Sequence, residues 1–148
     1  MDKTAGQHRA TALLSPPIDP FDQRMLDVGV GLRVFVVHCG YPDGIPVLVL
    51  HGGPGGGCSP AMRRYFDPKV YRVILFDQRG CGRSRPHASV ENNTTRHLVR
   101  DIELIRENFE IDRWIVFGGS WGATLALIYA QSHPDRAAYL ILRGVFLL

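Results

Sequence analysis

The chain has 148 residues, 45% of them apolar and 21% charged, with a formal net charge of +3. That length supports one ordinary domain with a real core, and the composition excludes general disorder. The excess charge comes from fifteen scattered arginines and two lysines with no reading motif beside them, so nucleic acid is not an indicated partner.

Residues 1–20 show no periodicity and end in "SPPIDP", which reads as a loose arm ahead of a domain spanning 21–148. The arm has no signal-peptide pattern, and no stretch approaches the ~18 apolar residues of a membrane span. Cys39, Cys58 and Cys81 fit neither a disulfide framework nor metal-ligand spacing. A soluble, cytoplasmic protein without a membrane span is the expectation.

"MLDVGVGLRVFVVHCG" (25–40) alternates and is rich in valine, which predicts two strands around a turn at Gly29–Gly31, or one bent strand. "IPVLVLHGG" (45–53), "YRVILFDQRG" (71–80) and "DRWIVFGGS" (112–120) share a plan of a continuous apolar run closed by a polar or glycine turn. Such runs fit strands buried on both faces of a parallel sheet. In 92–111, Asn93 or Thr94 can cap a helix whose Leu98, Ile102, Ile105 and Phe109 share one face. "WGATLALIYAQSHP" is apolar nearly all round and stops before Pro134, so it predicts a buried helix. "AAYLILRGVFLL" (137–148) begins as a further buried strand. The class is α/β, a mostly parallel sheet with helices on both faces.

Gly118-Gly119-Ser120-Trp121-Gly122 is G-x-S-x-G at a strand-to-helix corner, the pattern of a nucleophile elbow. So sharp a corner strains the serine backbone and pushes its hydroxyl into a cleft. Gly118 and Gly122 remove side chains where strand and helix cross. The helix start leaves N–H groups unpaired, so Trp121 N–H can donate to a developing oxyanion. A glycine-rich turn whose serine merely caps the helix is the alternative. "HGGPGGG" (51–57) lacks the lysine of a phosphate cradle. It can supply a second oxyanion N–H, with Gly53 as the donor, Pro54 stiffening the turn and His51 structural.

Taken in order, "HGGPGGG", "FDQRGCGRS", "NNTT" and "GGSWGATLALIYAQSHP" resemble the proline iminopeptidases, the prolyl aminopeptidase branch of the α/β-hydrolases. The resemblance covers about Phe21 to Leu148. It implies a serine peptidase that releases N-terminal proline from peptides, with Ser120 as nucleophile, Gly53 and Trp121 as oxyanion donors, and no metal or cofactor. Asp77 in "DQRGCGRS" is expected to hold its turn by hydrogen bonds rather than act as a base. Arg96 stands where the family would carry an aromatic residue.

The family's order is Ser, then Asp, then His. After Ser120 the chain has only His133 and Asp135, in the wrong order and roughly 20 Å away along a helix rising ~1.5 Å per residue. The upstream His8, His38, His51, His87 and His97 lack an evident acid partner. The expectation is therefore a chain that carries the nucleophile half of the machinery. It would be truncated after about the sixth strand, without the triad Asp and His or the cap domain, and inactive alone. Another α/β-hydrolase activity, esterase or amino-acid amidase, is the near alternative. A silent remnant or binding module, self-associating through an exposed sheet edge, is the distant one. Epoxide hydrolases and dehalogenases are disfavoured, since they place a carboxylate where Ser120 sits.

Overall fold

The computed structural model of the chain describes residues 14–53, 57–88 and 90–144. His8 and most of the expected N-terminal arm, Pro54 in the glycine-rich loop, and the last four residues of the terminal strand pattern lie outside them. Six strands form one sheet: β1 (Asp22–Gly29), β2 (Leu32–Gly40), β3 (Ile45–Leu50), β4 (Tyr71–Asp77), β5 (Trp114–Gly119) and β6 (Ala137–Arg143). Their order across the sheet is β1-β2-β4-β3-β5-β6. The 25–40 pattern forms two antiparallel strands, and β2 also runs antiparallel to β4. The β3–β4, β3–β5 and β5–β6 pairs are parallel, with Val47 opposite Val73, Leu48 opposite Val116 and Phe117 opposite Ile141.

Strand alternation divides the core in two. Val34, Val36, Leu48, Leu50, Ile74, Phe76, Trp114 and Val116 point to one face. Helix α1 (Thr95–Asn108) and helix α2 (Trp121–Ser132) both pack there. The predicted stripe of Leu98, Ile102, Ile105 and Phe109 is buried in this layer. Thr94 is the N-cap of α1, and His97 completes a capping box with it, which explains a polar His in the first turn. The opposite face carries Val37, Cys39, Val47, Val49, Val73 and Leu75. Ile18, Met62 and Phe66 cover it, Met62 from a short 3-10 helix at Pro60–Arg64. Among the described residues helical cover of the two faces is thus unequal: two α-helices on one side and a single 3-10 turn on the other.

One expectation is corrected at β6. Its apolar run predicts a buried strand, but Tyr139 is 73% exposed and Leu140 and Ile141 about two-fifths exposed. Among the described residues β6 pairs on one side only, with β5, so its apolar run lies at a sheet edge.

Buried ionic pairs join the layers. Arg79, after β4, binds Asp101 of α1 in a two-pronged pair at 2.6 and 2.8 Å, and its third nitrogen reaches the Asn92 carbonyl. The Tyr129 hydroxyl of α2 donates to Glu103 of α1 at 2.6 Å and accepts from the Trp114 indole. Burial alone would raise the Glu103 pKa, but hydrogen bonds from Arg106 and Tyr129 outweigh it and hold this carboxyl below its ordinary value.

Candidate active site

β5 ends in two glycines, and the chain turns at Ser120 into α2. Ser120 has φ 56° and ψ −121°, a left-handed conformation that L side chains rarely adopt. The strain expected from G-x-S-x-G is present. Its side chain makes no cap hydrogen bond to α2, which sets aside the reading of a serine that merely caps the helix. An added Cβ at Gly118 would collide with the Gly122 carbonyl, and one at Gly122 with the Leu50 carbonyl. The elbow therefore closes against the end of β3 as well as against its own strand.

The elbow's backbone donors are partly committed. Ser120 N–H bonds the Arg143 carbonyl of β6 and Ala123 N–H bonds the Ser120 carbonyl, each near 3 Å. The N–H groups of Trp121 and Gly122 are left at the open end of the helix, where its dipole is positive. The start of the glycine-rich loop lies beside Gly119 and Ser120, while Trp121 lines a separate cleft with Gln78 and Arg79. Gly53 has φ 59° and open space around its Cα, so it is glycine for its backbone angle. The close approach belongs to Gly52, where a Cβ would stand 2.7 Å from the Gly119 carbonyl oxygen and 3.0 Å from Ser120 Cβ. Ser120, Gly53, His51, Met62, Tyr65 and Phe117 help to line one cavity of about 420 Å³, large enough for a small ligand or the end of a peptide.

His51 is a structural residue. Its Nε2 accepts the Gln78 backbone N–H at 3.0 Å, which requires the proton on Nδ1, and Nδ1–H donates to the Gly52 carbonyl at 3.0 Å. Burial lowers its pKa and so favours the neutral ring. With both nitrogens engaged, it cannot take a proton from Ser120 without breaking the loop's support. Asp77 plays the part expected of it. Its carboxylate accepts the N–H groups of Cys58 and Arg83 at 2.7 and 2.9 Å, and Gly57 and Gly82 leave room for that carboxylate.

Among the other described histidines, two are tied into the fold. His38 lies between Phe21, tilted against it, and Phe109, edge-on to it, and accepts a hydrogen bond from Arg72, while His97 completes the cap of α1. Exposed His87 contacts the Gly82 carbonyl. His133 follows the last turn of α2 and Asp135 lies just beyond, at the end away from Ser120. Arg96 is exposed on α1, and nothing in the structure explains its presence there.

Sequence reading missed Gln78 and the side chains of Met62 and Tyr65. A signal for Gln78 existed. His51 follows β3 directly and Gln78 follows Asp77 at the end of β4, so two polar residues leave neighbouring parallel strands at the same edge of the sheet.

The geometry agrees with a comparison of sequences. Residues 45–147 match the family model of the alpha/beta hydrolase fold. The chain belongs to the α/β-hydrolase family. Within that family it is 58% identical over 135 residues to a proline iminopeptidase of Xylella fastidiosa (strain Temecula1), covering 91% of this chain and 43% of that protein. A proline iminopeptidase of Arabidopsis thaliana is 56% identical, again over 91% of this chain but 36% of its own length. Among solved α/β-hydrolase structures, a proline iminopeptidase-related protein from Thermus thermophilus superposes with a TM-score of 0.70 and 32% identity, over 82% of this chain and 43% of that one. A Vigna radiata epoxide hydrolase mutant superposes nearly as well, at 0.69 with 27% identity, over 86% of this chain and 39% of that one. The chain spans about two-fifths of the length of these relatives.

Proposed function

We propose that this chain supplies the nucleophile and the oxyanion donors of a serine aminopeptidase that releases N-terminal proline from peptides. Ser120 Oγ attacks the carbonyl carbon of the first residue, and Trp121 N–H and Gly53 N–H receive the negative charge that develops on its oxygen. The proton of Ser120 passes through a general base, which the described residues do not place beside it, to the amine of the second residue, and the tetrahedral species collapses to a prolyl ester of Ser120 as that amine departs. Water then attacks the ester, its proton passing through the same base to Ser120 Oγ, and proline leaves.

The observation that carries this reading is the strained, uncapped Ser120 at the head of α2, in a chain 54–58% identical to proline iminopeptidases. Ser120 and the glycine loop lining one cavity suit acyl transfer. The apolar lining by Met62, Tyr65 and Phe117 suits an uncharged ring or aliphatic side chain. None of the three cysteines forms a disulfide, which suits a reducing compartment such as the cytoplasm. Among the described residues, no helix is long and apolar enough to cross a membrane.

The test is hydrolysis of proline, alanine and leucine arylamides, and of a simple aryl ester, by the full gene product and its Ser120→Ala variant. Release from the proline arylamide above all others, lost in the variant, supports the reading. Ester cleavage without amide cleavage would turn it to an esterase.

A further inference from the structure

We infer that Gln78 is a positioning residue that holds the two oxyanion donors in register; this rests on the roles given above to Ser120, Trp121 and Gly53. Its carboxamide bridges the two halves of the site. Oε1 accepts the Trp121 indole N–H at 3.1 Å, and Nε2 donates to the His51 carbonyl at 2.9 Å. Chemistry dictates that orientation, because an indole N–H only donates and a carbonyl only accepts. The Gln78 backbone N–H donates to His51 Nε2, and His51 Nδ1–H donates to the Gly52 carbonyl. Four hydrogen bonds thus run without interruption from the Trp121 side chain to Gly52, the neighbour of Gly53.

Each end of the relay adjoins an oxyanion donor. At one end, the indole belongs to the residue whose backbone N–H opens α2. At the other, Gly52 lies against the Gly119 carbonyl and Ser120 Cβ. Gln78 is 3% exposed, so its hydrogen bonds form away from competing water. The indole also has somewhere else to go. Gln78, Arg79 and Trp121 help to line a second cleft of about 260 Å³, which lets the ring swing if Gln78 releases it. Oxyanion donors act when held about 2.7–3.1 Å from the position the oxyanion will occupy, so a loose clamp costs rate rather than binding.

Gln78→Met keeps the side-chain length, leaves the backbone bond to His51 intact and removes both carboxamide bonds. In the full gene product it is expected to lower kcat on a proline arylamide by about 10–100-fold, within the loss known for removing a whole donor, with KM changed less than about threefold. Trp121→Phe, which deletes the same bond from its other end and keeps the backbone N–H, is expected to fall similarly. The double variant should lose little more than either single one. Active-site titration with a fluorophosphonate corrects each rate for folded enzyme, and Trp121→Phe keeps the test open should Gln78→Met not fold. Rates that fall multiplicatively in the double variant, or a kcat unchanged in either single variant, would overturn the proposal.

A second readout needs no turnover. In amide and indole NMR spectra, the Trp121 indole N–H is identified by its loss in Trp121→Phe. Gln78→Met should move it upfield and broaden the Trp121 and Gly53 amides, while the Trp114 indole, bonded to Tyr129, stays in place. Unmoved Trp121 signals would overturn the clamp whatever the enzyme hydrolyses. Full hydrolysis by Ser120→Ala would instead overturn the function, with the indole shift still deciding the clamp.

Discussion

Gly122 of α2 meets the Leu50 carbonyl of β3 so closely that no Cβ fits between them. The helix start is pressed onto a strand that is not its neighbour in the chain, at the point where β3 gives way to the glycine-rich loop. Because the obstructing atom is backbone, it cannot move aside as a side-chain tip could. Gly122→Ala is expected to cost about 1–3 kcal/mol of stability, with Gly122→Val worse, as for other overpacked sites. Urea denaturation measures it. An unchanged midpoint in both variants would contradict the close crossing.

Ser120 stores strain at φ 56°. Replacing it with glycine relieves a conformation that costs on the order of 1–3 kcal/mol, offset in part by the roughly 0.5–1 kcal/mol of extra backbone entropy glycine loses on folding. Ser120→Gly is therefore expected to melt higher than Ser120→Ala, with both inactive. Thermal unfolding of the two variants side by side checks the order.

His38 should make the fold acid-sensitive. Burial first, then the neighbouring Arg72 charge and a smaller effect of Arg24, pull its pKa from 6.5 to about 4, with Asp22 acting the other way. Between those values the unfolded chain holds a proton that the folded ring refuses. Stability from this group is thus fully present above about pH 6.5, declines as pH falls towards 4, and is level below. The loss is on the order of 3 kcal/mol for this ring, and His51, also lowered by burial, adds in the same direction. Urea midpoints at pH 7, 5.5 and 4.5 should decline in step, and His38→Gln should flatten part of that slope.

Asp101→Asn should be among the most damaging polar changes, because it leaves Arg79 charged and buried at 4% exposure with its two-pronged partner gone. A loss of about 3–5 kcal/mol is expected. Asp101→Asn combined with Arg79→Met should recover part of it, since no lone charge then stays buried. Equal stability of Asp101→Asn and the parent would show that the pair contributes nothing net.

Much of this architecture is legible along the chain, because strand and helix announce themselves through local periods. The run at 45–50, the helical stripe Leu98–Ile102–Ile105–Phe109 and the corner at Ser120 each depend on residues within one or two turns of one another. The resemblance of its motifs to the proline iminopeptidases is legible for the same reason, as it rests on contiguous stretches. Gly118 and Gly122 are readable too, although the sequence alone does not say that Gly122 yields to β3.

What only the tertiary structure decided involves partners distant in the chain. The structural role expected of His51 acquired its atoms once Gln78, 27 residues later, took its Nε2. Gln78 itself looked like one polar residue in a turn until Trp121, 43 residues further on, was brought to its carboxamide. β6 carries the apolar run of a buried strand, yet stands at a sheet edge because strand order places β5 on one side of it and no described strand on the other. Periodicity reports the face a residue presents; which atom waits on that face depends on how the sheet is ordered, and hydrogen bonds of about 3 Å are decided there.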